Sequence, residues 1–262
     1  MALFKKTISP LPSNAPYLLE SVILLKNKDW KKKESFLTLL NAYEIDLSYG
    51  EGNEIYTVDY QSMHIEIAHT PALFQDGKFN ELEEISEEMQ QTCNLAKQHQ
   101  SYLTISLFSS VDFRKMIPFF VKINSGFLKQ SDALALYMEP MLFSSEEYIQ
   151  SFEQILAPLL PLPNVLTVFP YQDTKYIGAY SFGMYRFRLP EIEIFFRTPN
   201  DSFSDIISII YNIANHLLST DASFEKGEVL VFSDSERYQI KLQKGKIIPD
   251  TVIRLKKLHS KS

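Results

Sequence analysis

The chain has 262 residues, 45% of them apolar, and a net charge of −6 from 26 basic against 32 acidic side chains. That is enough length and apolar content to bury one large core or two small ones, and it excludes a disordered chain. The acid excess provides no general attraction to phosphate backbones or anionic lipid, which argues against nucleic acid and membrane as partners.

Residues 1–17 carry Pro10, Pro12 and Pro16 among polar residues and predict an extended lead-in segment. Lys5 and Lys6 follow only Ala2, Leu3 and Phe4, and no continuous apolar stretch comes after them, so no secretory signal is expected. Nowhere does an apolar run approach the roughly 18 residues that a membrane-spanning helix needs. The single cysteine, Cys93, can form neither an internal disulfide nor a thiolate zinc site, which fits a reducing compartment and predicts a cytoplasmic protein.

Ser21–Lys26 is a short apolar run that predicts a strand, and Glu34–Asn41 carries Phe36, Leu37, Leu39 and Leu40 at helical positions. Glu54–Tyr60 and Met63–His69 alternate, placing Met63, Ile65 and Ile67 on one face and His64 and Glu66 on the other. Leu82, Ile85, Met89, Cys93 and Ala96 then recur at three- and four-residue steps and predict a helix capped by Asn80. Tyr102–Phe108 closes a β-α-β-β-α-β order.

The second half repeats that order. A linking helix starts near Asp112 and is expected to kink at Pro118; Ala133–Glu139 is a strand, and Ser144 with Glu147 forms a capping box. Val165–Tyr171 and Tyr176–Phe187 flank a turn at Asp173–Lys175, and Glu191–Arg197 continues the sheet. A helix striped by Ile206, Ile209, Ile213 and Leu217 is capped by Asp201 or Ser202. Gly227 opens a final hairpin of Val229–Phe232 and Tyr238–Leu242, turning at Ser233–Glu236. The expectation is an α+β fold, antiparallel sheets with helices on one face, in two tandem ferredoxin-like units at 18–128 and 129–245. A basic tail follows at 246–262, with Lys246, Arg254, Lys256, Lys257 and Lys261.

The chain carries no recognisable reactive motif. His64-x-Glu66 lacks the downstream Pro-Cys-x-x-Cys of zinc deaminases, and His69, His99 and His216 each stand alone. Gly178 and Gly183 have the spacing of a phosphate loop, but Met184 and Tyr185 stand where Lys and Ser/Thr are required. Cys93 lies on an apolar helix stripe, where cysteine acts as a small hydrophobe. No cofactor and no metal are expected, and the reading is a binding protein, not an enzyme. Two features suit a protein partner. Glu81, Glu83, Glu84, Glu87 and Glu88 make an acidic helix start, and Tyr176, Tyr185 and Phe187 belong to an aromatic-rich strand region.

Three segments resemble a bacterial family known as domain of unknown function 4261. They are Gly178–Gly183 with Leu189-Pro190-Glu191-Ile192-Glu193, Tyr137–Tyr148, and His99–Ser106, within residues 60–243. Arg188 departs from the pattern where a glycine is expected. The resemblance implies no established activity. It does imply a small cytoplasmic immunity protein that neutralises a secreted toxin or effector; a housekeeping scaffold or secretion-accessory subunit, or an enzyme with an unrecognised pocket, are the alternatives.

Overall fold

The computed structural model describes residues 16–30, 55–74, 79, 82–83, 86–110, 113–155, 159–197, 202–220, 227–231 and 237–258. The chain divides into two units, one within residues 14–165 and one within 166–262. The expected helix at Glu34–Asn41, most of the lead-in segment, Asn80 and the turn Ser233–Glu236 lie outside the described residues.

The N-terminal unit contains β1 (Tyr17–Leu25), β2 (Ile55–Tyr60), β3 (Met63–Thr70), α1 (Glu87–Ala96), β4 (Ser101–Ser109), α2 (Phe113–Leu128), β5 (Ala133–Met138), β6 (Met141–Ser144) and α3 (Ser145–Glu153). Its six strands form one sheet in the order β2-β3-β4-β1-β5-β6, antiparallel at every pairing. The apolar run of β1 is explained by cover on both sides. Val22 and Leu24 pack with Ala135, Tyr137 and Leu142 against Met89, Cys93 and Ala96 of α1. On the alternate face, Ser21 Oγ donates to Asn124 Oδ1 of α2 at 2.8 Å, so a hydroxyl in a buried strand meets a buried amide instead of going unpaired. Helices therefore lie on both faces of this sheet, not on one.

The C-terminal unit contains β7 (Thr167–Gln172), β8 (Ile177–Phe182), β9 (Ile192–Phe196), α4 (Phe203–Ser219), β10 (Val229–Val231), β11 (Arg237–Lys244) and β12 (Thr251–Leu258). The sheet order is β10-β11-β12-β9-β8-β7, with β12 and β9 parallel and the other neighbours antiparallel. Ile206, Ile209, Ile210, Ile213, Leu217 and Leu218 are the buried stripe of α4, which packs on β7, β8 and β9. Its start is fixed by a capping box in which Ser202 accepts from the Asp205 backbone N–H and Asp205 answers to that of Ser202.

The α+β class stands, while several finer expectations are corrected. In a split β-α-β unit the strands joined through a helix are parallel and held apart by a third; here β3 and β4, joined through α1, are antiparallel neighbours. The division falls at Val165, not near residue 128, because β5 pairs with β1 and β6 with β5, which draws both strands into the first sheet and α3 with them into the first unit. The expected basic tail at 246–262 contains β12, inserted between β11 and β9, with Val252, Ile253 and Leu255 buried. Arg254, Lys256 and Lys257 hid its apolar residues. α1 begins at Glu87, where Ser86 Oγ accepts the Met89 N–H, and α2 continues through Pro118.

Candidate partner-binding site

The acidic helix start and the aromatic residues fall in different units. Glu81 and Glu84 lie outside the described residues. Glu87 and Glu88 stand exposed in the first turn of α1, where a carboxylate complements the positive helix end. Their own helix is only half of the feature. A groove of about 840 Å³ runs between α1 and α3, lined by Glu88, Gln91 and Leu95 on one wall and by Glu146, Glu147 and Gln150 on the other, with Met89 and Met141 also in its lining.

Both walls start at a serine cap on the groove, Ser86 for α1 and Ser144 for α3. Each cap hydroxyl accepts a backbone N–H, Met89 for Ser86 and Glu147 for Ser144, both at 3.1 Å. An acid stands in the first turn of each helix, where the positive helix end favours it, and the two acidic turns line one groove. Glu88 is held below the usual carboxylate range by its own backbone N–H and by the Ser86 hydroxyl. Glu147 is pushed up by burial, against the pull of the Ser144 N–H. The wider unit has the same sign: residues 14–165 hold 11 basic and 21 acidic side chains, net −10, while residues 166–262 hold 13 and 11, net +2. Sequence reading found the α1 wall from its charge run, but it saw Glu147 only as a capping signal and gave Glu146 no role.

The aromatic candidates separate. Phe187 is 2% exposed and belongs to the core of its unit, so it cannot meet a partner. Strand alternation does not reach it, because β8 ends at Phe182 and Gly183, at φ 128°, turns the chain into a 3-10 turn over Met184–Phe187. Tyr185 is half-buried in that turn, edge-on to Phe182 at 5.4 Å. Tyr176 is half-buried just before β8, its ring 4.3 Å from the Lys246 ammonium, and Arg197 holds its hydroxyl below the usual tyrosine range.

The same region holds two buried carboxylates that sequence reading placed on a strand and gave no role of their own. Glu191, 4% exposed, accepts from Ser181 Oγ at 2.6 Å and from the Gly183 and Tyr185 N–H groups at 2.9 and 3.2 Å. Burial pushes its pKa up, against these donors. Glu193, fully buried, accepts the N–H groups of Lys246, Ile247 and Ile248 at 2.7, 2.9 and 2.9 Å. One ties the turn after β8 to β9, and the other ties the β11–β12 turn to β9. The signal in the sequence is weak, because Glu191-Ile192-Glu193-Ile194 alternates as a half-solvated strand does, and Phe195, on the Glu193 face, is what breaks that pattern.

Three other chemistry-bearing residues have local surroundings that explain them. His99 is buried, with Nδ1 on the Ala96 carbonyl at 2.6 Å and Nε2 receiving the Phe74 N–H at 2.8 Å. His64 sits on the β2–β3 hairpin with Nδ1 2.7 Å from Asp59 and Nε2 3.5 Å from Glu66; Asp59 chiefly raises its pKa. Cys93 is buried and its thiol pKa is raised by that burial. Among the described residues no cluster of three His, Cys, Asp or Glu could hold a metal, and no helix is long and apolar enough to cross a membrane.

Residues 180–256 match the family model described as Domain of unknown function (DUF4261). This is the family that the sequence resemblance named, and the matched segment runs from β8 through most of β12, taking in both buried carboxylates and the turns they hold. No curated protein and no solved structure matches the chain.

Proposed function

We propose that this chain is a non-catalytic cytoplasmic binding protein of the immunity type, which neutralises a bacterial toxin or effector by direct contact. The observation that carries the binding reading is the groove between α1 and α3, with Glu88 on one wall and Glu146 and Glu147 on the other, in a unit of net charge −10. Carboxylates on both walls favour a basic segment of the partner and repel acidic ones, which selects the partner and speeds encounter. Amide and hydroxyl side chains between them supply hydrogen bonds without a paired acid and base. The toxin as partner rests on the family resemblance.

Affinity capture from native extract, followed by a toxicity assay of what co-elutes, tests this reading. One stoichiometric partner that is toxic alone and harmless with this chain is the expected result. The double charge reversal Glu88→Lys with Glu146→Lys should then abolish capture while leaving the fold intact by circular dichroism. Recovery of a harmless assembly would favour a scaffold or secretion-accessory subunit instead, and capture unchanged by the reversal would remove the groove from the interface.

A further inference from the structure

The Lys246 side chain occupies a site of its own. Its Nζ lies 4.6, 4.3 and 4.9 Å from the ring centroids of Tyr171, Tyr176 and Phe195, and 2.8 Å from Asp173 Oδ2. Three ring faces and a carboxylate around one ammonium are the surroundings that select an alkylammonium ion. Each wall is fixed without help from the lysine. Asp173 takes the Tyr171 hydroxyl at 2.9 Å on Oδ2 and the Lys175 and Tyr176 N–H groups at 2.8 Å on Oδ1. Phe195 lies across Gly178, its partner on β8, where a Cβ would come within 2.5 Å of Phe195 Cδ1. Tyr171 is the next residue in that same cross-strand row, edge-on to Phe195 at 5.4 Å.

The backbone at Lys246 is also held independently. Glu193 accepts its N–H and those of the next two residues, and Gly245 allows this close approach, since a Cβ there would come within 2.8 Å of Glu193 Oε1. The Lys246 side chain and Asp173 are each about one-third exposed, at 29% and 33%. The ammonium can therefore swing into solvent while the turn stays in place.

We propose that Tyr171, Asp173, Tyr176 and Phe195 form a lysine-binding cage for a partner protein, closed in the free chain by Lys246 acting as an internal plug. The plug keeps the rings from binding cations at random, and a partner lysine that arrives already anchored elsewhere displaces it. This surface is separate from the acidic groove and stands or falls independently of it.

Lys246→Ala opens the cage, and Nα-acetyl-trimethyllysine amide is the probe, followed by titration calorimetry and by shifts of the tyrosine ring protons. The opened variant should bind the probe at least tenfold more tightly than the parent chain, that factor corresponding to about 1.4 kcal/mol. Adding Tyr176→Ala should remove the binding. An opened, folded variant that binds no better than the parent would overturn the proposal. So would loss of the fold in Lys246→Ala, because the side chain would then be the support of the turn and not a removable plug; Lys246→Met, which keeps the alkyl arm, would confirm that outcome by restoring the fold.

Discussion

The two units use carboxylates in opposite ways. In the N-terminal unit the acids of α1 and α3 face a groove and water, and they set a field. In the C-terminal unit Glu191 and Glu193 are withdrawn from water, and each gathers the donors of a turn that would otherwise be left with buried, unpaired N–H groups. The contrast shows that the residue type alone says little; the number of backbone donors pointing at a carboxylate decides whether it is an anchor or a surface charge.

The largest expected break in the comparison comes from deleting an anchor. Glu193→Ala strands three N–H groups and should cost about 3–5 kcal/mol, seen as an early urea midpoint, whereas Glu88→Ala should leave the midpoint where it is in the parent chain. Equal losses for the two would refute the distinction. Gly178→Val comes next. Its side chain would meet the Ile194 carbonyl oxygen and the Phe195 ring, so a loss of about 1–3 kcal/mol should accompany disappearance of ring-current shifts on the Lys246 side chain.

A subtler sharpening comes from pH. Burial raises the Glu191 pKa above the unfolded value of about 4.3, so its contribution is fully present below that pH and is lost as pH rises through the folded value. Asp173 has the opposite sign: Lys246 and the turn N–H groups depress its pKa, so its contribution is present above the unfolded value of about 3.9 and is lost as pH falls. Urea midpoints across pH should therefore show a shallower decline on the alkaline side for Glu191→Gln and a flatter acid limb for Asp173→Asn. The smallest effect belongs to His64, whose folded pKa is raised chiefly by Asp59. The slight stability it adds below about pH 6.5 should fade as pH rises through the folded value and be missing in Asp59→Asn.

Local signals were legible in the sequence wherever one residue type has one job. The alternation of Met63–His69, the serine caps at Ser144 and Ser202, and the Asp173 turn all read correctly from the chain. The partnering of strands was not legible, because pairing β1 with β5 or β12 with β9 is settled by distant surfaces that local periodicity does not report. β12 was missed for a further reason. Arg254, Lys256 and Lys257 interrupt it, and their charge outweighs the buried Val252, Ile253 and Leu255. In the same way, Glu87 and Glu88 were legible as an acidic turn, but only the fold shows α3 across from them. Phe187 failed as a surface residue because Gly183 ends the alternation that would have turned it outward.

The position of β12 also sets a timetable. All six strands of the first sheet are present once residue 144 has been synthesised, so that unit can close while the rest of the chain is still being made. The second sheet has its middle delivered last: β9 must wait through α4 and the β10–β11 hairpin for residues 251–258 to arrive beside it. Until then the apolar edge of β9 is bare, and during synthesis that is the interval in which this protein is most exposed to wrong pairing.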